Sequence, residues 1–226
     1  MFLKDISPIE IEKYNLFFKA NDYVLIKNIL TDEAINILNN SIEFTNETLK
    51  DKPQFGRRHN INMNDDLLIK QYQTETIDFY KKIIGNDYRN TFAFAMEYIK
   101  NSEVLPHLDF IFNEVSSTTC YYTDESYPIY ISSEYIENNY NHRYSIKNSN
   151  LIDDSKKIEI NIECGDIGIF NGRNHLHWRN KLEKDIKYRA ILSHYGLTEP
   201  GSKEWIKKTS QSVPYENSVD FIYNKK

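Results

Sequence analysis

Two cysteines, six prolines and seven glycines are few for 226 residues. Two thiols cannot staple a disulfide scaffold or furnish a four-cysteine metal site, and Cys120 and Cys164, in apolar strand-like surroundings, read as two buried reduced thiols. The scarcity of glycine and proline excludes collagen-like and low-complexity chains, and no linker-like stretch marks a domain boundary. No run of apolar residues is long enough to cross a membrane as a helix, and the start, Met-Phe-Leu-Lys-Asp-Ile-Ser-Pro, lacks a secretory apolar core. A cytoplasmic protein with no membrane partner is expected, in which the glycosylation pattern Asn46-Glu47-Thr48 stays unmodified. Positive charge is not in excess either: 28 Lys+Arg face 33 Asp+Glu, for a formal net charge of −5. Nucleic acid is therefore not an expected partner, and a small molecule or a peptide is.

The chain reads as one domain, 1–226, with a helical N-terminal part (1–90), a β core (91–196) and a C-terminal extension (197–226). Helix spacing recurs at Ile9, Ile11, Tyr14, Phe17 and Phe18, and again at Ala34, Ile35, Ile37, Leu38 and Ile42 behind an N-cap at Thr31 or Asp32. A third helix is expected from Asp65 to about Ile84, ended by Gly85, and a short strand over 23–30. From residue 91 the period becomes two, which predicts strands at about 91–99, 106–112, 116–123, 127–136, 157–163, 167–171, 175–180 and 187–195. Along the fifth of these, Ile158, Ile160 and Ile162 point inward. Eight strands in this rhythm suit a double-sheet jelly roll, with a long polar break at 138–156 that serves as a functional or a dangling loop.

Three stretches carry chemistry. In Pro106-His107-Leu108-Asp109, residues i and i+2 of a strand share a face, so an imidazole and a carboxylate stand side by side. In Gly172-Arg173-Asn174-His175-Leu176-His177-Trp178-Arg179, a turn delivers a histidine to the next strand, where it can complete the two-histidine, one-carboxylate facial triad of a non-haem iron site. In Tyr188-Arg189-Ala190-Ile191-Leu192-Ser193, Arg189 sits on an apolar strand and needs an anionic partner, which a bound dicarboxylate would provide in a bidentate pair.

The order His-x-Asp, a distant His, then Arg twelve positions on resembles the Fe(II)/2-oxoglutarate-dependent dioxygenases, and their prolyl-4-hydroxylase-like branch in particular. The resemblance implies a mainly β (α+β) double-stranded β-helix, cupin-like, with N-terminal helices buttressing its larger sheet. It implies Fe(II) on His107, Asp109 and His177, 2-oxoglutarate as co-substrate with its far carboxylate on Arg189, dioxygen as oxidant, and release of succinate and carbon dioxide. His175 is the alternative distal ligand. Many members carry Ser two residues after the Arg; Ile191 stands there instead, and Ser193 is the expected substitute. Tyr98, alternating with Phe92, Phe94 and Met96, is the candidate hydroxyl donor to 2-oxoglutarate. Related halogenases replace the carboxylate with Gly or Ala, so Asp109 points to hydroxylation or another oxidative outcome. Arg179 shares the strand parity of His177, which would let it face the substrate, but is expected to be exposed, and His59, His142 and His194 are expected to be structural or surface groups. Arg57-Arg58-His59 reads as a solvated basic cluster or a lure for an acidic substrate. The competing reading is a non-catalytic, cupin-like jelly roll that binds a metal or ligand.

Overall fold

The structure, a computed structural model, describes residues 1–44, 66–110, 112–137 and 152–197, together with the backbone of 57–58 and 144–145. Three helices come first, each begun by a side chain that satisfies an otherwise unpaired backbone N–H. Ser7 and Glu10 form a capping box on α1 (Pro8–Asn21), Thr31 caps α2 (Asp32–Ser41), and Asp66 caps α3 (Leu67–Ile84). At the far end of α3 Gly85 takes φ 127°, a conformation that a side chain would strain. Between α1 and α2 lies β1 (Tyr23–Ile26); it stops short of the expected Leu30 because Asn28 turns at φ 52° and gives its N–H to the Asp166 carboxylate at 2.7 Å.

The β part contains β2 (Arg57–Arg58), β3 (Arg89–Tyr98), β4 (Val104–Leu108), β5 (Val115–Thr123), β6 (Ile129–Tyr135), β7 (Tyr144–Ser145), β8 (Lys157–Ile160), β9 (Ile167–Phe170), β10 (His175–Arg179) and β11 (Tyr188–Gly196). Two antiparallel sheets result, in the orders β1-β9-β5-β11-β3-β2 and β7-β4-β10-β6-β8. The eight expected strands are shared four and four between the two sheets, alternating except where β6 and β8 pair within one sheet, as in a double-stranded β-helix, so the jelly roll and its mainly β class are as expected. The two-residue strands β2 and β7 were not expected, since two residues carry no periodicity. The fifth expected strand ends at Ile160 rather than 163, because the Glu163 and Asp166 backbones already form a turn with a 2.9 Å bond.

The sheets sandwich one core and the helices cover another. Met96, Tyr98, Phe170, Tyr188 and Ala190 meet Ile129, Ile131 and Ile160 between the sheets. Ala34, Leu38, Tyr72, Tyr80 and Ile83 pack on Ile167, Ile169, Ile191 and Tyr195 across the outer face of the six-stranded sheet, which is the expected buttress. Cys120 is buried as expected, whereas Cys164 is exposed, because it sits in the tight turn before Gly165 (φ 93°) instead of within a strand. No helix among the described residues is long and apolar enough to cross a membrane. The sequon at 46–48, His59, His142, most of the 138–156 loop and the extension after 197 lie outside the described residues.

Candidate metal centre

β4 and β10 are hydrogen-bonded neighbours, and their register sets His107 directly opposite His177. Asp109 follows one step beyond β4, its N–H held at 2.8 Å by the carbonyl of Gly172 in the turn that leads into β10. The ligand atoms of His107, Asp109 and His177 lie within 4.8 Å of one another; each Nε2 is 3.5 Å from an Asp109 oxygen, and all three residues are buried. His107 Nδ1 is 2.8 Å from the Leu105 carbonyl and His177 Nδ1 is 3.1 Å from the His175 carbonyl. A carbonyl only accepts, so each Nδ1 carries the proton and each Nε2 presents a lone pair toward Asp109. Two imidazole nitrogens and one carboxylate, fixed on adjacent strands, match the facial donor set of a divalent iron site.

Asp109 is held further. Ser116 Oγ donates to Oδ2 at 2.5 Å and accepts in turn from His194 Nδ1 at 2.9 Å. Burial pushes the Asp109 carboxyl up, but the neighbouring imidazoles of His177, His107 and His194 outweigh it and hold the group well below the usual carboxylate range. His194 stacks on Phe92 at 4.3 Å. It was expected only as a structural or surface group; its parity with Ala190 and Leu192 on β11 was the signal that places it on the inner face.

No protein-family model matches the chain, and no curated protein does. Solved structures do match. HygX from Streptomyces hygroscopicus, with nickel and 2-oxoglutarate bound, superposes with a TM-score of 0.59 at 9% identity over 85% of this chain and 87% of its own. The fold is that of the 2-oxoglutarate/Fe(II) oxygenases. The epimerase SnoN, in complex with Fe3+, alpha-ketoglutarate and nogalamycin RO, gives 0.58 at 10% identity over 87% and 92%. A Pseudomonas putida prolyl-4-hydroxylase gives 0.57 at 8% identity over 88% and 98%.

Within this oxygenase fold the other expected residues separate into two groups. His175 is not in the triad: it shares the inner parity of His177 but lies one pleat away along β10, where its ring nitrogens meet the Ser132 carbonyl (2.9 Å) and the Asp22 carboxylate (3.2 Å). Tyr98 does lie on the inner face, 2% exposed. Arg189 and Ser193 do not. On β11, Tyr188 and Ala190 face the other sheet, while Ile191 and Tyr195 face the helices, and Arg189 and Ser193 share the helix-side parity. The anionic partner that Arg189 required is Glu97, opposite it on β3, whose Oε2 accepts from Nε at 2.8 Å. Tyr122 and Asn39 flank the guanidinium. The expected 2-oxoglutarate role of both residues is therefore corrected: the apolar strand has two apolar faces, and the arginine is on the one away from the metal centre. Arg189→Met is expected to cost about 1–3 kcal/mol of stability, since Glu97 is 2% exposed, and to leave ligand binding at the triad unchanged; denaturant unfolding and a metal titration check the two parts.

Arg179 is also corrected. Far from exposed, it is 2% accessible, two residues after His177 on the same face of β10. The alternate residues Leu176 and Trp178 pack on the outer side of the sheet.

Proposed function

We propose that the protein is a non-haem Fe(II)- and 2-oxoglutarate-dependent dioxygenase of the cytoplasm that hydroxylates an unactivated C–H bond of a small molecule or peptidyl side chain, with release of succinate and carbon dioxide. The observation that carries this reading is the triad: two histidines with Nδ1 tied to carbonyls and Nε2 aimed at one buried, ionised carboxylate. Bound Fe(II), with 2-oxoglutarate and dioxygen, would supply an oxidation that amino-acid side chains cannot perform. His107, Asp109 and His177 would hold the metal, with the remaining positions open to co-substrate and oxidant. Ser116 and His194 keep the carboxylate oriented. Phe170, whose ring lies 4.8 Å from His177, and Phe92 and Phe94 line this side of the barrel with apolar surface that excludes water. The retained carboxylate supports hydroxylation over halogenation, and the small-molecule ligand of SnoN supports a substrate of that size.

Anaerobic addition of Fe(II) and then 2-oxoglutarate to the apo-protein should produce the visible charge-transfer band of the chelate, and admitting air should yield succinate. Iron binding without the band would leave a metal-binding jelly roll with no oxygenase chemistry. Metal affinity is expected to fall as pH drops through the imidazole range near about 6.5, because protons compete for the two histidine nitrogens. Asp109, already ionised throughout that range, contributes nothing to the decline. Calorimetric titrations check this, and a flat affinity from about pH 5 to 8 would count against a two-histidine site.

A further inference from the structure

Arg179 is a buried cation without an acidic partner among the described residues. One nitrogen, Nη1, donates to the Tyr127 carbonyl, while Nη2 is fully buried and finds no hydrogen-bond acceptor. The rings of Tyr188, Tyr127 and Tyr98 surround the guanidinium, with centroids 4.4, 4.9 and 5.2 Å from Cζ. Ring faces attract a cation but do not neutralise it, and a full charge taken out of water without a counter-ion costs several kcal/mol. Such a group is stabilised once an anion enters.

Its place in the barrel says which anion. β10 runs antiparallel to β4, with His177 opposite His107 and, across a register shift, Arg179 opposite Val104; the inter-sheet rings of Tyr98, Tyr127 and Tyr188 around its guanidinium put Arg179 on the inner face with the triad, about 7 Å along the strand. Beyond it the barrel is closed. The Tyr127 hydroxyl donates to the carbonyls of Ser102 and Asn180, and the Ser102 and Leu182 backbones bond across the end at 2.9 Å. A ligand that chelates a metal at the triad and extends inward therefore ends at Arg179, and a carboxylate at that end would take the unused Nη2.

We infer that Arg179, and not Arg189, anchors the far carboxylate of 2-oxoglutarate, with Tyr98, Tyr127 and Tyr188 forming the cage around that ion pair. This rests on the dioxygenase reading above and names the residue on which that reading's co-substrate depends. The anchor comes from the five-stranded sheet and reaches across to β11, where Tyr188 occupies the inner position beside the outward-facing Arg189.

The test measures ligand binding on the metal-loaded protein, with Ni(II) in calorimetry and with Fe(II) in the anaerobic charge-transfer assay. Arg179→Met is expected to retain its metal affinity and to lose at least about 100-fold in 2-oxoglutarate affinity, the scale of removing one partner from a buried, hydrogen-bonded charge pair. Arg189→Met keeps wild-type 2-oxoglutarate affinity. On the wild-type protein, 2-oxopentanoate, which has the same chelating end and no far carboxylate, binds at least about 100-fold more weakly than 2-oxoglutarate. That comparison needs no variant and stands even where Arg179→Met fails to fold. Equal binding of the two oxo acids, unchanged 2-oxoglutarate affinity in Arg179→Met, or its loss in Arg189→Met would each overturn the assignment. Absence of any metal-dependent 2-oxoglutarate binding to wild type would overturn the dioxygenase reading itself, and the assignment with it.

Discussion

Replacing His177 with alanine is expected to lower Fe(II) affinity by more than about 100-fold, beyond what losing an outer partner of a ligand costs, and to remove the 2-oxoglutarate charge-transfer band. The variant takes away one of three donors whose ligand atoms lie within 4.8 Å of one another. His175, two residues away, has both ring nitrogens engaged, by Ser132 and by Asp22, and stands about 7 Å along the strand. His175→Ala is accordingly expected to keep the band and to lose about 1–3 kcal/mol of stability through the buried hydrogen bond given up at Ser132. A band that survives in His177→Ala and vanishes in His175→Ala would transfer the ligand to His175. Parallel titrations of the two variants, alongside their denaturant midpoints, decide the matter.

The choice between these two histidines marks where sequence reading reached its limit. The strand rhythm, the helix caps at Thr31 and Gly85 and the His-x-Asp pair follow from local rules: period two, a side-chain acceptor behind a free N–H, and adjacency of i and i+2 on one face. Alternation puts His175 and His177 on the same face, and which of them meets His107 depends on the register of β10 against β4, invisible in either strand alone. Arg189 and Arg179 fail for a related reason. Both lie on strands that are apolar on both sides, so parity fixes which residues share a face and not which face looks inward. Anchoring that parity required knowing that Tyr188 and Ala190 meet Ile131 and Ile160 from the other sheet, a contact between segments far apart in the chain. Once His177 points inward, its own parity already assigns Arg179. The inward-facing arginine was therefore readable from the residue beside the ligand, and the family-like spacing drew attention to Arg189 instead. The cross-strand pair of Arg189 with Glu97 could not be read either, because it depends on the register of β3 against β11.

Gly172→Ala is expected to weaken metal binding by about 10–100-fold, although Gly172 offers no ligand atom. A Cβ at this position would stand on Asp109 Oδ2 and 2.8 Å from Ser116 Oγ. Neither neighbour can yield. The Asp109 N–H is bonded to the carbonyl of Gly172 itself, and its Oδ2 is fixed by Ser116, which His194 holds from behind. The methyl group must therefore rotate the carboxylate away from the two imidazoles. Gly172 does not have the positive φ of Gly85 or Gly165, so alanine suits its backbone and the chain should still fold. Gly168→Ala is the contrasting case: its Cβ would meet Ile162 Cδ1 at 2.5 Å, which crowds the core at a cost of about 1–3 kcal/mol and leaves the metal centre untouched. Because the Gly172 effect passes through Ser116, removing that hydroxyl gives Oδ2 room to move. The loss from Gly172→Ala is then smaller in a Ser116→Ala background than in wild type, a coupling that a double-mutant cycle on metal affinity measures directly. Strict additivity of the two substitutions, or wild-type metal affinity in Gly172→Ala, would mean that Asp109 is not held by this turn.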